Sequence, residues 1–243
     1  MGASNRSNRV TAAAESGGGI VVLAGAGMSA ESGVPTFRGA DGLWRNFRAE
    51  DLATPGAFAR DPVLVWEWYE WRRGLVAECE PNAAHHAVNE LESSTGGPFL
   101  LVTQNVDGLH RLAGTKSYCE VHGCLWETRC LGCGAVEERR DHPLGELPPV
   151  CGCGGGLRPN VVWFGESLPE AALDSAFAAA QECDVMVIVG TSGVVYPIAY
   201  LPQVAKNGGA YVIEVNLERT PLSSLADEVH LGPAGEVLPG LVG

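Results

Sequence analysis

A glycine-rich stretch, eight cysteines and six histidines are the groups of this 243-residue chain that can bind an anion, hold a metal or move a proton. Gly25-Ala26-Gly27-Met28-Ser29-Ala30 follows the apolar run Ile20-Val21-Val22-Leu23, and Gly25, Gly27 and Ala30 fit the Gly-x-Gly-x-x-Gly/Ala spacing. A β-branched run ending in a turn without side chains lets backbone N–H groups approach a pyrophosphate. Cys130-Leu131-Gly132-Cys133 and Cys151-Gly152-Cys153 are two thiol pairs separated by 17 residues, the layout of a zinc ribbon. Four thiolates close the coordination sphere of a tetrahedral ion, so this zinc is expected to be structural. The second pair is one residue short of Cys-x-x-Cys, which leaves Cys124 and His142 open as substitute ligands. Imidazole alone has an unperturbed pKa near neutrality and can take a proton from a hydroxyl at working pH. Spacing does not decide which of His85, His86, His110, His122, His142 and His230 does so.

These groups need elements to hold them. Pro98 to Thr103 reads as a buried strand ending in Gln104-Asn105-Val106-Asp107-Gly108. Val185 to Val189 ends in Gly190-Thr191-Ser192-Gly193, and Tyr211 to Val215 ends in Asn216. Four apolar strands that stop at small polar clusters, with helix-like stretches such as Ala171 to Gln181 between them, predict an α/β fold. That fold is a Rossmann-like, doubly wound parallel sheet with its ligand at the carboxyl ends of the strands. Residues 17–39, 82–122 and 159–243 are assigned to it. Residues 40–81, rich in tryptophan and with a helix over Val63 to Val76, form an inserted helical module. Residues 123–158 form an inserted zinc-binding module, so the smaller domain combines helices and a zinc ribbon. Residues 1–16 carry no hydrophobic period and are expected to be a disordered tail.

With 16 basic and 29 acidic residues the net charge is −13, which opposes a nucleic-acid surface and favours basic partners. No apolar run reaches the ~18 residues of a membrane span, and the first residues lack the apolar segment of a secretory signal. The expectation is a cytoplasmic monomer in a reducing compartment, its remaining cysteines free thiols.

The string Gly25 to Gly39, continuing through Val34-Pro35-Thr36-Phe37-Arg38, resembles the NAD-binding signature of the sirtuins, the NAD-dependent protein-lysine deacylases. Glu120-Val121-His122-Gly123 matches their Glu-x-His-Gly string, and the likeness runs from about Gly19 to Leu241. The resemblance implies NAD as co-substrate, one structural zinc on Cys130, Cys133, Cys151 and Cys153, and acyl-lysine proteins as partners. It makes His122 the general base, with Asn105 as the second catalytic residue. Gly25, Ala26, Gly27, Ser29 and Ser192, with Gly190 and Thr191, would cradle the diphosphate, while Asn216 and the turn at Ala234 would hold the adenosine half. Gln104 would position the nicotinamide ribose, and Ala26, Phe37, Asn105 and Asp107 would surround nicotinamide, with Arg38 presented by the same loop. The acyl oxygen would attack the ribose as nicotinamide leaves, and His122 would deprotonate a ribose hydroxyl, giving free lysine and O-acyl-ADP-ribose. Val161 to Glu166, with Phe164, Gly165 and Glu166, and the segment with Val194 and Val195 match the strands between which sirtuins hold an extended substrate.

Tyr69 and Arg72, three apart on the predicted helix, share one face. An Arg fork with a Tyr hydroxyl suits a carboxylate. Their place, with small Ala49 and Ala53 upstream, resembles the sirtuin branch that removes malonyl, succinyl or glutaryl groups. ADP-ribosyl transfer to protein and a non-enzymatic NAD sensor are the alternatives. Hydride transfer fits less well, since no acidic ribose ligand stands ~20 residues after the glycine loop.

Overall fold

Five-residue aliphatic strands form the centre of the molecule, a computed structural model that describes residues 9–35 and 47–243. The chain opens with α1 (Arg9–Ser16), β1 (Ile20–Ala24), α2 (Ala49–Leu52), α3 (Pro55–Arg60), α4 (Pro62–Ala77) and α5 (Ala83–Ser94). It continues through β2 (Phe99–Thr103), α6 (Leu109–Ala113), β3 (Tyr118–Glu120), β4 (Gly123–Cys130), β5 (Val136–Glu138) and β6 (Leu157–Val161). Last come α7 (Glu170–Glu182), β7 (Val185–Val189), α8 (Leu201–Gly208), β8 (Tyr211–Asn216), β9 (Glu228–Leu231), α9 (Ala234–Val237) and α10 (Pro239–Val242).

The large sheet has the order β3-β2-β1-β7-β8-β9, and every pairing in it is parallel. Numbered within the sheet alone this is 3-2-1-4-5-6, the doubly wound dinucleotide order, whose crevice opens where the winding reverses, between β1 and β7. Alternation along β1 feeds two cores. Ile20, Val22 and Ala24 pack with Val10, Ala84, Val88, Leu91 and Leu241 on one face. Val21 and Leu23 pack with Ala176, Ala180, Leu201 and Ala205 on the other. Each Val, Leu or Ile among them contributes about 1.5–3 kcal/mol by leaving water, and each Ala less. The sheet has two strands more than the four apolar runs predict. The additions, β3 and β9, are short edge strands carrying Glu120, Glu228 and His230, and an edge needs no continuous apolar run.

The expected disordered tail needs correcting. Arg9–Ser16 is a helix, with Val10 and Ala14 buried at i, i+4 against the sheet. Three consecutive alanines favour helix there, and two small apolar residues suffice to dock it. Residues 1–8 lie outside the described set, as do 36–46 and with them the expected contacts of Phe37 and Arg38.

The helical and zinc-binding modules share a third core, in which Trp66, Trp68 and Tyr69 of α4 pack with Leu125, Trp126, Leu157 and Trp163. The antiparallel sheet β5-β4-β6 backs it. Helix α4 starts where the sequence predicts: the Asp61 carboxylate accepts the Leu64 N–H at 2.9 Å, and Pro62 occupies the first turn.

Candidate active site

At the β1/β7 switch point two glycine turns are pressed together. A Cβ on Gly25 would stand 2.8 Å from the Gly190 carbonyl, one on Gly27 2.7 Å from the Gly190 Cα, and one on Gly190 2.5 Å from the Met28 nitrogen. Gly190 also has φ +59, in the left-handed region. The N–H groups of Gly25 and Gly27 are already given to the carbonyls of Val189 and Gly190, at 2.9 and 2.8 Å. These glycines are therefore required by the packing of the β1 loop on the β7 loop. The turn that follows, Ala26 to Met28, is a short 3-10 helix in which the Met28 N–H goes to the Gly25 carbonyl at 2.9 Å.

Ser29, expected in the diphosphate cradle, is buried and turned inward. Its hydroxyl donates to Asp107 Oδ2 at 2.7 Å and accepts from Asn105 Nδ2 at 3.2 Å. The other Asn105 contact is the Gly25 carbonyl, at 3.0 Å. His85 Nε2 lies 3.3 Å from the same hydroxyl, and its Nδ1 accepts the Asn82 N–H, so the ring proton sits on Nε2 and points at Ser29. Burial lowers the His85 pKa to about 4, which keeps the ring neutral. Asp107 is pushed upward by burial, against the Leu109 N–H, the Ser29 hydroxyl and Arg72, which favour its charged form. The family resemblance does not single out His85. Its signal was Asn82, three residues earlier, whose side chain caps α5 and fixes the ring. The His110 ring packs tilted against His85, at 4.7 Å between ring centroids and 59° between planes.

His122 joins β3 to β4 at the mouth of the crevice. Its Nδ1 lies 2.9 Å from the Gln104 carbonyl, which can only accept, so Nδ1 carries the proton and Nε2 keeps a bare lone pair. Burial lowers its pKa and the Gln104 carbonyl opposes that. Gln104 Nε2 donates to Thr191 Oγ1 at 2.9 Å, and Asn216 Nδ2 donates to the Thr191 carbonyl at 2.9 Å. One chain of contacts thus ties the ends of β2, β7 and β8 beside the imidazole. The neighbouring Ser192 is half-buried. Ala234 is buried at the start of α9, where the Gly235 N–H donates to Glu31 of the glycine loop at 2.7 Å.

Val161 closes β6, and the Val162 N–H donates to the His122 carbonyl at 2.9 Å. Phe164 follows, 53% exposed, and its N–H bonds the Ala53 carbonyl at 2.9 Å. Gly165 has φ +87. Glu166 is engaged within the protein, since both oxygens accept from Arg158 and one from the Trp163 N–H. Val194 and Val195 are exposed. Tyr69 and Arg72 are both buried on α4, and Ala49 and Ala53 are buried in the same core as Tyr69. Trp163 Nε1 donates to the Tyr69 oxygen at 2.8 Å, and burial pushes that phenol up to about 12. Arg72 lines a small cavity with Ala26, Ser29, Val34, Asn105 and Asp107.

The four sulfurs of Cys130, Cys133, Cys151 and Cys153 lie within 4.8 Å of one another, with Cys130–Cys153 at 3.5 Å and Cys133–Cys151 at 3.8 Å. Zinc–sulfur bonds of about 2.3 Å place tetrahedral sulfurs about 3.8 Å apart, so the donor set fits one structural zinc. The short Cys-x-Cys pair is accommodated by the glycines behind it. Gly154 turns with φ +85, and a Cβ on Gly155 would stand 2.8 Å from Cys130 Sγ. Neither substitute ligand is in place, for Cys124 is buried beside Glu120 and Glu127, and His142 Nε2 lies 3.1 Å from the Glu70 carbonyl.

The comparisons agree with this geometry. The Sir2 family model matches residues 25–197. An NAD-dependent protein deacylase of Aquifex aeolicus is 56% identical over 209 residues, 86% of this chain and 87% of that protein. A Sir2 homologue solved with NAD superposes with a TM-score of 0.89 at 45% identity, covering 98% of this chain and 93% of that one. A mutant Sir2 homologue solved with 2'-O-acetyl ADP ribose gives 0.86 at 49% identity, covering 92% and 90%. With its dinucleotide sheet order, its four-thiol cluster and its histidine at the mouth of the crevice, this chain belongs to the Sir2 family.

Proposed function

We propose that this protein removes acyl groups from protein lysines at the expense of NAD, taking acidic acyl groups such as succinyl and malonyl as well as acetyl. The observation that carries the reading is His122, an imidazole whose only bare nitrogen is Nε2, set beside a Gln104-Thr191-Asn216 chain at the switch point of a dinucleotide fold. The names of its relatives support it too. The crevice fits NAD: the 3-10 turn at Ala26 and Ser192 would hold the diphosphate, Asn216 and Ala234 the adenosine half, and Asn105 and Asp107 the nicotinamide side. Phe37 and Arg38 are proposed for the same loop. Bound there, NAD supplies a glycosidic bond whose cleavage releases nicotinamide.

The chain's own residues do the rest. Gln104 orients the nearer ribose while its carbonyl holds the His122 proton on Nδ1, so that Nε2 is free to take a proton from a sugar hydroxyl. The neutral His85 and Ser29 fix the Asp107 and Asn105 side chains against the position of the leaving group. The exposed Val194, Val195 and Phe164 side chains flank the entry path for an extended peptide, with Val161 and Gly165 shaping its other edge and the Arg158–Glu166 pair bracing that segment. Such main-chain docking carries little sequence preference.

Buried Arg72 gives the cavity beside Asp107 a planar cation for the carboxylate of an acidic acyl tail, and the Tyr69 hydroxyl, which stays protonated one helical turn away, is proposed as the second donor to that carboxylate. The zinc, closed by four thiolates, stabilises the module and takes no part in hydrolysis.

Purified protein, NAD and matched succinyl-, malonyl- and acetyl-lysine peptides test the reading, with nicotinamide and peptide mass followed together. The expected products are free lysine, nicotinamide and O-acyl-ADP-ribose. Arg72→Met should lower succinyl-lysine turnover on the order of 10²-fold while sparing acetyl-lysine, as loss of a charge-assisted pair implies. Succinyl turnover unchanged in that variant sinks the acyl assignment, and ADP-ribose added to the peptide itself sinks the deacylase reading.

A further inference from the structure

Arg111 lies outside the site described above but is tied to both sides of His122. It is carried by α6, the helix whose Leu109 N–H donates to Asp107 Oδ1 at 2.9 Å. Its guanidinium grips Glu120 with two nitrogens, Nε at 2.9 Å from one oxygen and Nη2 against the other. The same Nη2 donates to Glu127 Oε1 at 2.7 Å, and the second Glu127 oxygen accepts Asn160 Nδ2 at 2.9 Å. Glu120 ends β3 in the parallel sheet, whereas Glu127 and Asn160 belong to β4 and β6 of the antiparallel one.

His122 stands in the two-residue step between those sheets. Upstream, the Val121 N–H is held by the Thr103 carbonyl at 3.1 Å, and downstream Gly123 has φ +79 with no room for a Cβ against the Asn160 carbonyl. Charge-assisted bonds between largely buried groups are the strong, directional kind. Both carboxylates of this clamp keep side-chain exposures of 9% and 19%, so water competes weakly for them. Arg111 thus cross-links both sheets to the helix whose first N–H is held by Asp107.

We propose that Arg111, through Glu120 and Glu127, is the positioning residue that holds the His122 imidazole between the two sheets with its Nδ1 proton on Gln104 and its Nε2 directed into the crevice. This deepens the proposed function and rests on His122 being its general base. A base displaced by about 1 Å can cost 10²-fold in rate. Exchange of labelled nicotinamide into NAD reports the bond-breaking step before that base acts, whereas deacylation requires both steps.

In Arg111→Leu, with zinc content and melting transition checked, deacylation of an acetyl-lysine peptide should fall about 10²-fold in kcat while nicotinamide exchange and KM for NAD stay within about twofold. Arg111→Lys should recover part of the loss. In ¹⁵N-edited spectra of the enzyme without substrate, the His122 Nδ1–H signal bonded to the Gln104 carbonyl should disappear or shift in the Leu variant. If Arg111→Leu does not fold, Glu127→Gln, which keeps the Arg111–Glu120 grip, should give the same pattern at reduced size. Wild-type kcat with an unmoved His122 signal overturns the proposal, as does an equal loss of exchange and deacylation with that signal unmoved. The ring signature is read without any reaction. A shifted signature in a protein whose wild type frees no lysine sustains the positioning claim and sinks the deacylase reading.

Discussion

Two imidazoles near the crevice differ because their hydrogen-bond partners differ. His85 receives an N–H on Nδ1 and is left donating through Nε2, whereas His122 gives its Nδ1 proton to a carbonyl and is left with a basic Nε2. Only the second can accept a proton where a substrate hydroxyl would lie. Its pKa is held below the ordinary imidazole value, so the basic form is lost only when pH falls through that lowered value. The acid limb of the kcat/KM profile should therefore lie below about pH 6.5, the unperturbed histidine pKa. A limb above that value, measured with substrate and NAD varied independently, would contradict the assignment. His122 was legible because its Glu-x-His-Gly string is distinctive. His85 was not, since its role depends on Asn82 turning the ring and on Ser29 lying 56 positions away in sequence. Glu166 was legible by motif only, and its contacts are with Arg158 and the Trp163 backbone.

At the scale of elements, the glycine turns and the zinc knuckles are both places where backbone must pass close to something else. Gly190→Ala puts a methyl group against the Met28 nitrogen at a positive φ, and it should cost roughly 2–4 kcal/mol in denaturant unfolding and abolish NAD binding. A variant of wild-type stability would show that the two loops are not locked together. Cys153→Ala should weaken zinc by more than the roughly 10–100-fold that outer-shell changes cost, and lower the melting temperature of the module behind His122. Full zinc occupancy in that variant, read by metal analysis after dialysis against chelator, would remove Cys153 from the ligand set. Strands β1 and β7 were legible because they are buried on both faces and read as unbroken apolar runs, and β2 and β8 because most of their residues are apolar and buried. Helix α1 and edge strands β3 and β9 were not, because two buried residues or three to four ladder pairs are enough to hold them.

The whole molecule is a dinucleotide sheet whose second domain grows from its loops. The 3-2-1-4-5-6 winding could not be read from the strands themselves, since order within a sheet is set by which crossovers turn back, and no local pattern records that. Once it forms, the β1/β7 crevice, the shared tryptophan core and the zinc sheet converge on the stretch that carries His122. Among the described residues no helix is long and apolar enough to cross a membrane. The central claim is that NAD cleavage and lysine unmasking are one reaction governed by His122. Its most direct test is to quantify nicotinamide released and lysine freed from an acyl-lysine peptide in the same time course, for wild type and His122→Ala. The prediction is equal amounts of both products in the wild type and a loss of lysine release by at least about 10²-fold in the variant. Nicotinamide release without freed lysine in the wild type, or undiminished lysine release in the variant, would contradict it.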